Sequence, residues 1–264
     1  MAAVDGSHAL LVDNGAVWVA AVRAAAVQWP GPPVDVPMSV HATLAEQAQQ
    51  GVDAAYHERG LDPPPVRSAD GWVEALRALA ESDAADAALR ALPEGSLLLL
   101  DGALERLPKA PAQLVDRLLE QAARRGIALV GVAKRSRLDL DGTPLVHAVL
   151  RAAQKDGRTG PWSVPVPGHR MTHVALLHPN GQHAFRVDAT DPDALRDLLP
   201  LSRDAVYVGY PYPLAAAHNA VAISQAEARR LRDRLGDEAR ARGADVWAML
   251  RDFHDVLDRN APRS

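Results

Sequence analysis

Residues 97–136 limit what this chain can fold into more than any other stretch. They read "LLLLDGAL", then, after a polar break, "PAQLVDRLLEQAARRG" and "IALVGVAKRS". The first and last are apolar runs of the length and purity of strands buried on both faces, and between them Leu114, Val115, Leu118, Leu119 and Ala122 share one side of a helix. Pro111 stands near the helix start and Gly126 just past its end, the positions each favours. Strand, helix, strand is a βαβ crossover, right-handed in nearly all known cases, and it makes its two strands parallel. The chain is therefore expected to be α/β. Asp101 and Lys134 fall at the carboxyl ends of the two strands, the edge at which open α/β sheets carry their sites.

The rest of the chain adds elements around this unit. Residues 1–29 predict two strands joined at Asn14-Gly15, a hairpin turn signal. "PGPPVDVP" breaks the chain, Ser39 is placed to cap a helix running to about residue 58, and "DPPP" at 62–65 breaks it again. A second helix is expected from Asp70 to Ala91 and a short one from Pro144 to Gln154. Strands are expected in "MTHVALL" and "HAFRV". A helix entered through Pro213 should carry His218 in its first turns, and "SQAE" at 224–227 matches a capping box opening an Arg-rich helix. With no repeat of solenoid length and no long linker, one domain is expected over 1–264, with the helices from about 224 packed on it.

The 264 residues include no cysteine, which excludes disulfides, thiolate nucleophiles and zinc held by thiolates. Metal chemistry must use Asp, Glu and His. No apolar run reaches the ~18 residues of a membrane span and no leader pattern opens the chain, so a cytoplasmic protein with no membrane partner is expected. The net charge of −4 gives no general electrostatic grip on nucleic acid. No GxxxxGK or H-E-x-x-H pattern occurs, which argues against ATP hydrolysis or zinc peptidase chemistry.

Two aspartates stand where such chemistry needs them. Asp5 in "VDGS" and Asp101 in "LLLLDGAL" each follow apolar residues and precede a glycine, which permits close approach of backbone or ligand. A lone Asp-Gly is ordinarily a turn. Two on one sheet, joined by a glutamate from a facing helix, form the oxygen-rich set that Mg²⁺ and Mn²⁺ prefer. Glu74 and Glu81, two turns apart on the predicted second helix, are both candidates for that glutamate.

These motifs also occur in a familiar order. "VDGS", "LLLLDGAL", "VAKRS" and "VGYPYPLAAAHNAVAIS" together resemble the NurA family of nucleases, over residues 4 to about 230. The resemblance implies a ribonuclease H-like mixed sheet flanked by helices and a Mn²⁺-dependent nuclease, Mg²⁺ being an alternative. It further implies 5′→3′ exonuclease and single-strand endonuclease action on DNA, homodimerisation, and work with the hexameric HerA ATPase in end resection for recombinational repair, at the nucleoid. Carried over by motif, Asp5 and Asp101 match the family's metal ligands, and Tyr210 and His218 its terminal tyrosine and histidine, His218 serving metal or proton. Glu81 is taken as the helix glutamate. Lys134 is expected to hold the scissile phosphate, and Lys134, Arg135 and Arg170 to contact DNA. The chain opens almost on the first motif, without the helical extension many relatives carry, and has Ala103 where they often have serine.

Two other readings are open at this level. One is a non-catalytic adaptor or clamp for the ATPase. The other is a haloacid dehalogenase-like phosphatase using Asp139 and Asp141 of "LDLDGTP", although that motif requires a buried strand before it and "AKRSR" stands there instead.

Overall fold

A long hairpin opens the chain. Strands β1 (Ala2–Asp13) and β2 (Val17–Gln28) meet at a turn in which Asn14 Oδ1 accepts from the N–H groups of Ala16 and Val17, and Gly15 takes a φ of 81° that a side chain would resist. The structure, a computed structural model, describes residues 1–32, 34–104, 112–134, 136 and 138–242.

The helix expected from Ser39 is replaced by a strand. β3 (Ser39–Leu44) pairs antiparallel with β2, from Val22↔Ser39 to Val17↔Leu44, and α1 (Ala48–His57) begins only after a 3₁₀ turn at Ala45–Gln47. Val40 and Thr43 are β-branched, and the open edge of β2 offers them a full ladder, so tertiary pairing overrides the capping signal. Helix α2 (Ala69–Ala91) follows as expected.

The βαβ unit forms as its sequence requires. β4 (Leu97–Asp101), α3 (Ala112–Arg124) and β5 (Ala128–Ala133) give a parallel pair in register Leu97↔Ala128 to Asp101↔Val132. β1 lies parallel on the other side of β4, with Val4 opposite Leu100. Beyond β5 come a small hairpin, β6 (Asp139–Leu140) and β7 (Thr143–Pro144), then α4 (Leu145–Lys155), β8 (Trp162–Pro165), β9 (Thr172–Leu176), β10 (Phe185–Ala189), α5 (Ala194–Leu201), α6 (Tyr212–Val221) and α7 (Gln225–Ala241). The sheet runs β3-β2-β1-β4-β5-β10-β9-β8, with β8, β9 and β10 antiparallel, so it is mixed and eight strands wide.

Contacts divide the chain into two compact units, the first made of Met1–Asp5, Ala25–Asp35 and Ser82–Ala220. Its strands are buried on both faces, and their residues alternate between two cores. Ala3, Leu97, Leu99, Val130, Val132 and Val187 pack with Leu198 and Leu214 of α5 and α6. Val4, Leu98 and Leu129 pack with Leu89 and Leu118 of α2 and α3. That double burial explains the unbroken run of four leucines. The period of two then assigns Asp5, Asp101 and Lys134 to the face of Ala3, Leu99 and Val132, the side of α6.

The second unit comprises Gly6–Ala24, Val36–Glu81 and the chain from Val221. Leu11, Val19 and Ala21 of the hairpin bury against Leu231 and Leu235 of α7. Only the serine half of the expected capping box forms: Ser224 Oγ accepts from Glu227 N at 3.1 Å, while the Glu227 carboxylate turns to Arg23 at 2.8 Å instead of back to the Ser224 N–H.

Candidate metal centre

Asp5 is neither at a turn nor at a strand end. β1 runs straight through it, and its side chain is 6% exposed on the α6 face, directly after the apolar residues Ala2, Ala3 and Val4. A carboxylate there demands partners. His218 supplies one, its Nδ1 lying 2.8 Å from Asp5 Oδ2. Asp101, the last residue of β4, comes to the same point. Asp5, Asp101 and His218 each offer a ligand atom, and these three atoms lie within 4.8 Å of one another.

Helix α6 ends at Val221, so His218 sits in its last turn rather than its first. The positive end of the helix is therefore remote, and the imidazole is held by the Asp5 carboxylate. With the ring N–H at Nδ1 donating to Asp5, Nε2 is the basic nitrogen. His218 remains 53% exposed, which leaves the cluster open on one side.

Lys134 and Tyr210 close the other sides. Lys134 Nζ donates to Asp101 Oδ2 at 2.8 Å and stands 5.1 Å from the centre of the Tyr210 ring. The ring of Tyr210 packs on Phe185, while its hydroxyl is buried and makes no hydrogen bond of good geometry among the described residues. Burial, with the nearby charges of Asp101 and Asp5, pushes this phenol far above its usual range, so it remains a neutral O–H donor. Tyr210 thus sets a neutral O–H donor beside the Asp101 carboxylate, at the rim of the cluster. The donor set of two carboxylate oxygens and a nitrogen suits a divalent cation such as Mn²⁺ or Mg²⁺.

The expected glutamate lies in the second unit. Glu81 pairs with Arg77, which also binds Glu74 at 2.6 Å, so one arginine holds both candidates. They differ at Gly6: a Cβ built there would meet Cγ and Oε1 of Glu81 at 2.5 Å. Glu81, not Glu74, occupies the space left by the glycine that follows Asp5. Arg170 is exposed in a bend between β8 and β9 and is not among the residues gathered around Asp101, while Arg135 lies outside the described residues. Asp139 and Asp141 form an exposed turn, with Asp139 Oδ1 accepting from Gly142 N and Asp141 at a φ of 52°. No buried strand leads into them, which removes the phosphatase reading.

One supporting group was not foreseen from the sequence. Arg186 and Asp188, two apart on β10, form a buried ion pair through Nε and Nη2 at 2.8 and 2.9 Å, with Thr172 Oγ1 donating to the same carboxylate. Asp188 Oδ2 also accepts from Leu104 N at 2.8 Å, which ties down the chain three residues after Asp101. Gly131 of β5 helps: a Cβ there would strike Gly102 O, so the exit of β4 lies flat against β5 only because that position has no side chain. The signal in the sequence was "FRVDA", which places opposite charges on one face of a strand expected to be buried.

The fold has counterparts. Among solved structures, the chain resembles a crystal structure of NurA (13% identity, TM-score 0.52, covering 89% of this chain and 87% of that one). It also resembles NurA bound to dAMP and manganese (13%, 0.50, 86% and 85%). Ciona intestinalis Endonuclease V in complex with inosine-containing DNA is similar at 12% identity and a TM-score of 0.45, over 87% of this chain and 86% of that one. No curated protein matches by sequence. The NurA domain model matches residues 1–223, a span that includes Asp5, Asp101, Lys134, Tyr210 and His218, and the chain therefore belongs to the NurA family of nucleases.

Proposed function

We propose that this protein is a metal-dependent deoxyribonuclease that uses Mn²⁺, or Mg²⁺, held by Asp5, Asp101 and His218. The observation that carries the reading is the convergence of those three side chains, from two strands and a helix, on ligand atoms within 4.8 Å of one another. Glu81 is proposed to complete the carboxylate set. Its support is the missing side chain at Gly6, next in the chain to Asp5, whose space Glu81 fills.

A bound divalent ion supplies Lewis acidity toward a phosphoryl oxygen and lowers the pKa of water. The protein groups do the rest. Asp5 fixes the tautomer and orientation of His218, leaving Nε2 as the nitrogen that would hold the ion. Lys134, now paired with Asp101, is placed to exchange that partner for a phosphate oxygen and offset its charge. Tyr210 offers an O–H donor that stays protonated at any working pH.

The finer assignments rest on the family. They are 5′→3′ exonuclease and single-strand endonuclease activity, homodimerisation, work with a HerA-type hexameric ATPase, a role in recombinational repair, and a place at the nucleoid. The net charge of −4 supports delivery of DNA by such a motor rather than by intrinsic affinity. The test is digestion of end-labelled linear and single-stranded DNA with Mn²⁺, Mg²⁺ or EDTA by the wild type, Asp5→Ala and Asp101→Ala. Metal-dependent degradation lost in either variant sustains the reading. Equal inertness of all three, with the ATPase supplied, would replace it with the adaptor reading.

A further inference from the structure

Beside the metal ligands, helix α6 carries a second feature, an open cavity of about 520 Å³ within the first unit. Its walls include Trp29, Tyr212, Ala216, Asn219 and Val34. Trp29 and Tyr212 stand with ring centres 4.7 Å apart at 58°, and Tyr207 meets Tyr212 edge-on at 6.3 Å. The Tyr207 hydroxyl accepts from Asn219 Nδ2 at 2.9 Å, which fixes the amide and leaves its oxygen as an acceptor.

We infer that this cavity is a nucleobase-binding subsite, in which one base of a single strand stacks on Tyr212 and Trp29 and donates an exocyclic N–H to Asn219. The inference rests on the nuclease reading for its substrate class. Three observations select a base over other occupants. The lining includes two partly exposed aromatic rings, the kind of side chain that single-strand binders use because every base has a π-face. No lysine or arginine lines it, so it suits the uncharged part of a nucleotide and not the phosphate. It also shares helix α6 with the metal ligands, since Asn219 of its lining follows His218. Trp29 N donates to Met1 O at 3.0 Å, which sets Trp29 four residues along β1 from Asp5, about 13 Å at ~3.3 Å per residue. A single strand can occupy both places at once.

The cavity also gives two adjacent residues different work. His218 turns to Asp5, and Asn219, one position on and so rotated about 100° around the helix, turns to the aromatic wall. Cleavage and base contact would thus be positioned by one rigid element, which fixes the scissile bond relative to the gripped base.

The test compares binding of a short single-stranded oligonucleotide with that of the same backbone carrying abasic sugars throughout, in EDTA so that nothing is cut, using wild type, Trp29→Leu, Tyr212→Leu and Tyr212→Phe. The wild type should favour the base-bearing strand. Each leucine variant should lose roughly tenfold or more of affinity for that strand and almost none for the abasic one, while Tyr212→Phe, which keeps the ring, should bind as the wild type does. Unaltered melting temperatures separate lost stacking from lost folding. If the leucine variants bind both strands as the wild type does, or weaken both equally, the subsite is wrong. The nuclease reading stands or falls separately on metal-dependent cleavage. A wild type that never cuts but shows this base-dependent binding would keep the subsite and lose the nuclease.

Discussion

His218 Nδ1 lies 2.8 Å from Asp5 Oδ2, a contact that joins the last turn of α6 to the middle of the first strand. Both groups belong to the ligand set proposed with Asp101, and a cation that binds the folded form alone must stabilise it. At a Mn²⁺ concentration 100 times its dissociation constant the gain is about 2.7 kcal/mol, a rise of roughly 5–10 °C in melting temperature for a chain of this size. Asp5→Ala and Asp101→Ala should abolish that rise, and calorimetry with and without EDTA reads it.

Lys134 is 43% exposed and Asp101 18%, so their pair should contribute no more than ~1 kcal/mol to stability. Lys134→Met should therefore fold normally. With a competing cation gone, Mn²⁺ should bind at least as tightly, while cleavage falls roughly 10²–10³-fold for want of charge on the phosphate. Titration calorimetry and steady-state cleavage on the same preparation check both halves. Full cleavage by the variant would return Lys134 to the status of a solvated neighbour.

Gly6→Ala separates the two glutamates. The added methyl meets the flexible end of Glu81, so the fold should survive while the carboxylate is displaced. Activity should fall roughly 10–100-fold, the range for a displaced group that supports a metal. Glu81→Ala should match it, and Glu74→Ala should stay near wild type.

The buried pair under the exit of β4 makes a prediction about stability. Asp188→Ala strands Arg186 and leaves Leu104 N without its acceptor, at a cost of about 3–5 kcal/mol. The double replacement Arg186→Met with Asp188→Leu should cost far less, because no charge remains buried. Urea unfolding of the two proteins gives the comparison directly.

Tyr56 governs an alkaline limit. It is fully buried, donates to Ala75 O at 3.1 Å, and burial pushes its hydroxyl from its ordinary 10.0 up to about 12. Its contribution is complete below pH 10. Between pH 10 and 12 the unfolded chain loses the proton while the folded chain keeps it, so stability falls as pH rises, by up to about 2.7 kcal/mol for a shift of this size. Tyr56→Phe should lose about 1 kcal/mol at pH 8 and show a shallower decline toward pH 11 in denaturant titrations.

Much of this was legible in the residues because it is local. The four leucines, the apolar stripe of α3 and the Asn14-Gly15 turn carry their own periodicity, and Asp101 and Lys134 follow from counting along β4 and β5. Ser39 misled because a capping serine and the first residue of an edge strand look alike until β2 is seen to offer its ladder. His218 was assigned to the wrong end of its helix because Pro213 marks an entry but nothing in "LAAAHNAVA" marks the stop. The local pair in "FRVDA" hints at Asp188, but its contacts with Leu104 and Thr172, 84 and 16 residues away, have no local pattern to encode them.

The sequence distance in the Asp5–His218 contact, 213 residues, also bears on when the protein can act. Translation delivers Asp5 first, Asp101 next and His218 well after both. The imidazole arrives only after residue 218 has cleared the ribosome, so a nascent chain has no complete ligand set. A nuclease that needs all three groups cannot work through this site before residue 218 has been made.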